Sequence, residues 1–179
     1  MPERLYFAYG SNINLDQMAR RCPKAEVICP VTLNGYRLLF RGGYPNNGVA
    51  TITPSSMHQV KGLLWKLTPE CEQSLDHYEG FPHFYGKENV TVMDKAGNTY
   101  TVMAYIMTRE YEREPAYPSI SYYTGIAQGY EQNGIPLKTL KDALKYCRME
   151  VIAKEDKDWG KLESRFSARE KHKDYSHER

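Results

Sequence analysis

Two runs of strand-forming residues, about Lys87 to Met93 and Tyr100 to Met107, are separated only by Asp94-Lys95-Ala96-Gly97-Asn98. So short a linker folds the second run back on the first, and its Asp, Gly and Asn have the chemistry of a hairpin turn. Three further β-like segments precede this hairpin, around Tyr36 to Phe40, Val49 to Thr53 and Val60 to Leu67. The glycine- and asparagine-rich stretch 42–48 and Pro54-Ser55-Ser56 set them apart as turns, so they are expected to pair as a meander. Leu5 to Ala8 adds a short strand that stops at Gly10-Ser11-Asn12. Strands and helices do not alternate regularly, which argues against a doubly wound parallel sheet. An α+β arrangement is expected, with a mostly antiparallel or mixed curved sheet and flanking helices. Periodicity does not choose between a barrel and an open sheet.

The helices announce themselves through their ends. Asn14 can cap a helix reaching about Cys22, with Gln17 at the capping-box position and Pro23 as the stop. Thr68-Pro69-Glu70 combines an N-cap, a proline at the first helical position and an early acid. That helix should run to about Glu79 and close on Gly80. Ser119 can cap a third helix in which Ile120, Tyr123, Ala127 and Tyr130 recur at helical spacing, ending at Asn133-Gly134. Pro136 opens the approach to a fourth, short helix through about Cys147. Beyond Glu150 the residues are of mixed charge, so 151–179 is expected to be a helical or disordered extension to a domain spanning 1–150.

A chain of 179 residues fits one core rather than two. With 24 basic against 22 acidic side chains, the formal charge of +2 offers little footprint for a polyanion, and no nucleic-acid partner is expected. A patch of Arg20, Arg21, Arg37 and Arg41 is the weak alternative. No apolar run approaches the roughly 20 residues of a membrane span, and no leader pattern is visible, so no membrane partner and a cytoplasmic location are expected. Cys22, Cys29, Cys71 and Cys147 are unevenly spaced and are read as reduced and mostly buried. The histidines form no spaced ligand set, so neither a metal nor a cofactor is expected.

Three features could carry chemistry. Tyr9-Gly10-Ser11-Asn12 lies between a strand end and a helix start, where glycine permits close approach and consecutive N–H groups can hold a carboxylate or phosphate. It matches neither a Walker loop nor a nucleophile elbow. Glu79 ends its helix at the negative pole of the dipole, three residues after Asp76. Both influences are expected to raise its pKa, and a burying pocket to raise it further, toward a group that takes and returns a proton near neutrality. A solvated helix-end glutamate is the plainer reading of that segment alone. Tyr85, Tyr122 and Tyr123 follow loops and could line a polar pocket, although core packing is the commoner fate of a tyrosine.

Taken in order, these segments resemble the γ-glutamylcyclotransferase family, including its γ-glutamylamine-specific and AIG2-like relatives. The stretches that carry the resemblance are residues 6–12, 48–52, 62–65, 75–80, 105–108 and 118–122 running on to 133–137. The resemblance implies a small, barrel-like mixed sheet with surrounding helices and a cavity floored by Tyr9, Gly10, Ser11 and Asn12, which would hold a γ-glutamyl group. It implies that Glu79 is the catalytic acid/base and that Tyr85 and Tyr122 line the cavity, with Tyr123 replacing Tyr122 if the alignment slips by one. It implies a reaction in which the substrate's α-amine attacks its own γ-carbonyl and releases 5-oxoproline and an amine. The partner would be a small γ-glutamyl compound whose appended group is open, and a homodimer is compatible with the family. A non-catalytic binding protein that kept the pocket is the alternative of a different class.

Overall fold

The computed structural model describes residues 4–112 and 114–175, with side chains as far as residue 165. Five strands, β1 (Arg4–Ala8), β2 (Glu26–Arg41), β3 (Val49–Leu67), β4 (Tyr85–Met93) and β5 (Thr99–Met107), close into a barrel in the order β1-β3-β2-β4-β5. Four helices accompany them: α1 (Leu15–Arg21), α2 (Pro69–Glu79), α3 (Ile120–Gln132) and α4 (Lys138–Tyr175). A single 3-10 turn, Ser11–Ile13, joins β1 to α1. The barrel is antiparallel except at its closure, where β1 runs parallel to β5 through the pair Tyr6 and Met103. Closure removes the exposed sheet edges that an open sheet of this size would have to protect.

Local chemistry explains the element ends. The Asn14 side chain accepts from the Gln17 N–H at 3.0 Å, Thr68 accepts from Cys71, and Ser119 from Tyr122, each satisfying a donor that a helix start leaves over. Gly80 takes the left-handed conformation, φ 63°, that ends α2. The hairpin 94–98 closes as its composition predicts, with Asp94 Oδ1 accepting from the Ala96 and Asn98 N–H groups. Gln17 does not complete a capping box; its side-chain oxygen accepts from Arg21 instead.

Two expectations are corrected. Pro54-Ser55-Ser56 is not a turn between two strands: β3 is continuous from Val49 to Leu67, and β2 begins at Glu26, well before Tyr36. Asn34 pairs with Gln59 and Tyr36 with Pro54, so four residues of β3 (55–58) bow out opposite Gly35, a bulge bridged by Ser55 Oγ and His58 Nδ1 at 2.8 Å. A bulge and a turn use the same residue types, and only pairing with β2 distinguishes them. Likewise no helix ends near Cys147, because α4 runs unbroken to Tyr175. The segment after Cys147 contains no proline, and Gly160 alone is too weak a breaker to stop it.

The chain divides into two compact units, Met1–Cys147 and Arg148–Arg179. The first holds the core, with Phe7, Leu64, Leu75, Ile126 and Tyr130 fully buried. In the second, the helix surface is exposed and carries an i,i+3 pair between Lys161 and Asp158 at 3.5 Å. No helix among the described residues is long and apolar enough to cross a membrane. Of the four cysteines, Cys22, Cys71 and Cys147 are buried and Cys29 is half-buried.

Candidate active site

Strands β1, β3, β4 and β5, helices α2 and α3 and the turn after β1 all contribute to the wall of one cavity. The loop after β1 supplies Tyr9, Gly10, Ser11 and Asn12; α2 supplies Glu79; β4 and α3 supply Tyr85 and Tyr122. These seven residues, expected from the resemblance to form the site, thus line one hollow, whereas the ring of the alternative Tyr123 packs against Phe40 with centroids 6.2 Å apart. Tyr6 of β1, Ala50 of β3 and Tyr105 of β5 complete the wall. These three were not foreseen, because inward-facing strand residues look like ordinary core until the barrel closes.

Hydrogen bonds set the polarity of this wall. The Tyr85 hydroxyl donates to the Ala50 carbonyl at 2.7 Å, whereas the Tyr122 hydroxyl accepts from the Ala50 N–H at 3.1 Å. Tyr85 therefore has only lone pairs left to offer, and Tyr122 keeps its proton. The Tyr9 hydroxyl donates to the Tyr105 carbonyl, and Asn12 Nδ2 donates to the Tyr6 hydroxyl at 2.9 Å. Burial pushes the Tyr6, Tyr9, Tyr85 and Tyr122 hydroxyls above their ordinary range, so all stay protonated at neutral pH. Within the turn, the first backbone bonds are Ile13 N–H to Gly10 O and Asn14 N–H to Ser11 O. The preceding N–H groups are the donors that such a turn leaves without a partner of its own.

Among the described residues that line the hollow, Glu79 is the one acid. Asn12 Nδ2 donates to its Oε1 at 2.8 Å, and burial raises its carboxyl to about 7 against the opposing pull of Asn12 and Arg21. Glu79 as a residue is half-buried, and it lines the cavity. Asp76, expected to assist, does not: its carboxylate is taken by Lys87 Nζ at 2.7 Å and by the Tyr105 hydroxyl. A group whose folded pKa is raised holds its proton more tightly when folded. Its contribution to stability is therefore present at low pH and lost as pH rises from the ordinary glutamate range through about 7. Denaturant unfolding at pH 5 and pH 8 should show Glu79→Gln gaining on the native chain by on the order of 2–3 kcal/mol between the two.

Arg21, read from the sequence only as one cation of a surface patch, lies behind the loop instead. Its guanidinium donates to Ser11 Oγ at 3.1 Å, Asn12 Oδ1 at 2.7 Å, Gln17 Oε1 at 2.8 Å and the Tyr78 hydroxyl at 2.6 Å. Arg37, by contrast, stacks on Tyr146 at 4.0 Å, and Arg41 is buried.

The site is thus a hollow in a small closed barrel, walled largely by tyrosines and holding the carboxyl of Glu79. The chain belongs to the family described as Gamma-glutamyl cyclotransferase, AIG2-like, whose model matches residues 6–124. It is 35% identical over 141 residues to the Gamma-glutamylcyclotransferase of Homo sapiens, covering 75% of this chain and 73% of that one. The Bos taurus protein of the same name is 36% identical over 146 residues, covering 76% and 75%. A solved structure of a Gamma-glutamyl cyclotransferase superposes with a TM-score of 0.71 at 32% identity, covering 79% of this chain and 86% of that one. The protein is accordingly an enzyme of the γ-glutamylcyclotransferase type, with the barrel-like α+β fold of that family.

Proposed function

We propose that this enzyme releases 5-oxoproline from a γ-glutamyl amino acid or amine by intramolecular aminolysis, with Glu79 as general acid/base. The observation that carries the reading is that Glu79 and the Gly10-Ser11 turn line a single hollow, with Asn12 bonded to the acid. The substrate's α-carboxylate lies on the N–H groups that open the turn, where backbone donors favour an anion. The Tyr85 and Tyr9 oxygens, having spent their protons on backbone carbonyls, offer lone pairs to the α-ammonium. Tyr122, having spent a lone pair on the Ala50 N–H, can donate to an oxyanion.

The ammonium first passes a proton to the Glu79 carboxylate. The freed amine attacks the γ-carbonyl carbon, its new C–N bond closes a five-membered lactam, and the carbonyl oxygen gathers the charge. Collapse breaks the original amide C–N bond as Glu79 returns its proton to the departing nitrogen; the new ring nitrogen then gives its second proton to the Glu79 carboxylate, which passes it to the leaving amine, so that a neutral lactam and an ammonium depart and Glu79 is again ionised. One carboxyl serves these transfers because a pKa of about 7 makes it nearly as ready to give as to take. The base form is required, so kcat/KM should climb about tenfold per pH unit up to about 7 and then level. The decisive experiment supplies a panel of γ-glutamyl amino acids and γ-glutamyl amines and follows 5-oxoproline by mass spectrometry. Turnover of at least one class is expected. Saturable binding of panel members with no 5-oxoproline from any of them would leave a binding protein instead.

A further inference from the structure

We infer that Arg21 is a positioning residue for this reaction: through the Asn12 side-chain amide it sets the orientation and the charge of Glu79. The inference rests on Glu79 being the acid/base. It begins from a count of donors. A guanidinium carries five N–H groups. Arg21 spends four hydrogen bonds on Ser11, Asn12, Gln17 and Tyr78, so it is engaged on both outer nitrogens and has little left for a ligand. All four acceptors are neutral. Its guanidinium carbon also lies 3.7 Å from the centre of the Tyr78 ring, which pins it from another side. A half-buried cation at the end of α1, partnered only by neutral groups, is unusual unless a charge further on completes it.

That charge is one residue away. Arg21 NH1 donates to Asn12 Oδ1 at 2.7 Å, and Asn12 Nδ2 donates to Glu79 Oε1 at 2.8 Å. The chain also fixes which way the Asn12 amide points, since its oxygen must face the guanidinium. Its NH₂ is thereby committed to Glu79 and to the Tyr6 hydroxyl. Polarised at one end by a full positive charge, the amide is a better donor at the other, and it favours the carboxylate over the acid. Burial works the opposite way, and the balance of the two leaves Glu79 near neutrality.

The tyrosine hydroxyls around Glu79 do not titrate across that range. Tyr6 and Tyr9 face it from β1 and its end, Tyr85 from β4, Tyr105 from β5 and Tyr122 from α3, and burial holds every one of these hydroxyls protonated. The Cys22 thiol beside Arg21 is pushed up to about 12. Asp76, on the same helix as Glu79, is turned to Lys87 and Tyr105. Arg21 is thus the fixed charge that acts on Glu79 near neutral pH.

The test compares the native chain with Arg21→Met and Arg21→Lys by two readouts. One is the pH profile of kcat/KM. The other is the midpoint of the Glu79 carboxyl titration, followed by NMR on protein labelled with ¹³C at glutamate and assigned with Glu79→Gln. For Arg21→Met both the midpoint and the rising limb should move about one pH unit upward, lowering kcat/KM about fivefold at pH 7 and restoring most of it by pH 9. Arg21→Lys keeps the charge but loses the planar fork whose two outer nitrogens reach Ser11 and Asn12 on one side and Gln17 and Tyr78 on the other. Its limb should stay close to the native position while kcat falls at every pH, and this variant decides the matter if Arg21→Met does not fold. A midpoint that stays in place in folded Arg21→Met, or native kcat in Arg21→Lys, overturns the role of Arg21. A midpoint that moves while the rate profile does not would instead overturn Glu79 as the acid/base, and the positioning role with it.

Discussion

Glu79→Gln should reduce the release of 5-oxoproline by a factor of about 10³ or more in kcat, with a much smaller change in KM. The amide matches the carboxylate in size, and its oxygen can still accept from Asn12 Nδ2 at the position where that bond is 2.8 Å in the native chain. Orientation of the substrate by the turn and the tyrosines is retained, which is why binding should survive. Only proton transfer is lost, and a positioned acid/base typically contributes roughly 10²–10⁴. The upper part of that range applies because the same group serves more than once, on the nucleophile and on the leaving nitrogen. Glu79→Asp, which withdraws the carboxyl by about one bond length, should fall between the two. The measurement is initial-rate 5-oxoproline formation at pH 8, where the native carboxyl is ionised. Turnover by Glu79→Gln within a factor of a few of native would show that proton transfer is carried elsewhere. Misfolding cannot mimic the expected result, because the same substitution should stabilise the protein at that pH.

Gly129→Ala should cost about 3 kcal/mol or more of stability, and the damage should reach the site. A methyl at residue 129 would lie 2.6 Å from the Asn14 nitrogen and 2.8 Å from both Asn14 Cα and the Ile13 carbonyl carbon. These are backbone atoms of the segment that begins with the Gly10-Ser11-Asn12 turn, and they cannot swing aside as a side-chain tip can. Overpacking against a yielding core costs about 1–3 kcal/mol, and here there is little to yield. The α3 helix must lift away, carrying Tyr122 and straining the Asn133 bonds to Ile13 O and Gly129 O. One turn earlier, Gly125→Ala makes the control. Its methyl would meet Gln17 Nε2 at 2.7 Å, the far end of a flexible side chain, and the helix gains about 1 kcal/mol in propensity. Chemical denaturation of the two variants should therefore separate them by at least 3 kcal/mol. Similar curves for both would mean that the α3 crossing is far looser than these distances require.

Local signals located most of the elements. Asn14, Thr68 and Ser119 each cap the helix their side-chain chemistry anticipates, and 94–98 turns as its composition requires. Reading failed where two structures share the same residue types. Pro54-Ser55-Ser56 suits a turn and a bulge equally, and only the pairing of Tyr36 with Pro54 shows which it is. Asp76 stands at the right spacing to act on Glu79, yet Lys87 and Tyr105, from two strands distant in sequence, take its carboxylate. Arg21 looked like one charge of a surface group, and its place behind Asn12 depends on α1 folding back over the turn.

The amino-acid sequence by itself determined where helices begin, which way the 94–98 hairpin turns, and which short segments bear the family's pattern, because these depend on groups within a few residues of one another. Tertiary structure alone decided that the sheet closes into a barrel, that Tyr6 and Tyr105 join the cavity wall, and that burial rather than Asp76 raises Glu79. Desolvation is a property of everything packed around a group, and the residues that line the hollow with this carboxyl come from separate elements brought together only when the barrel shuts.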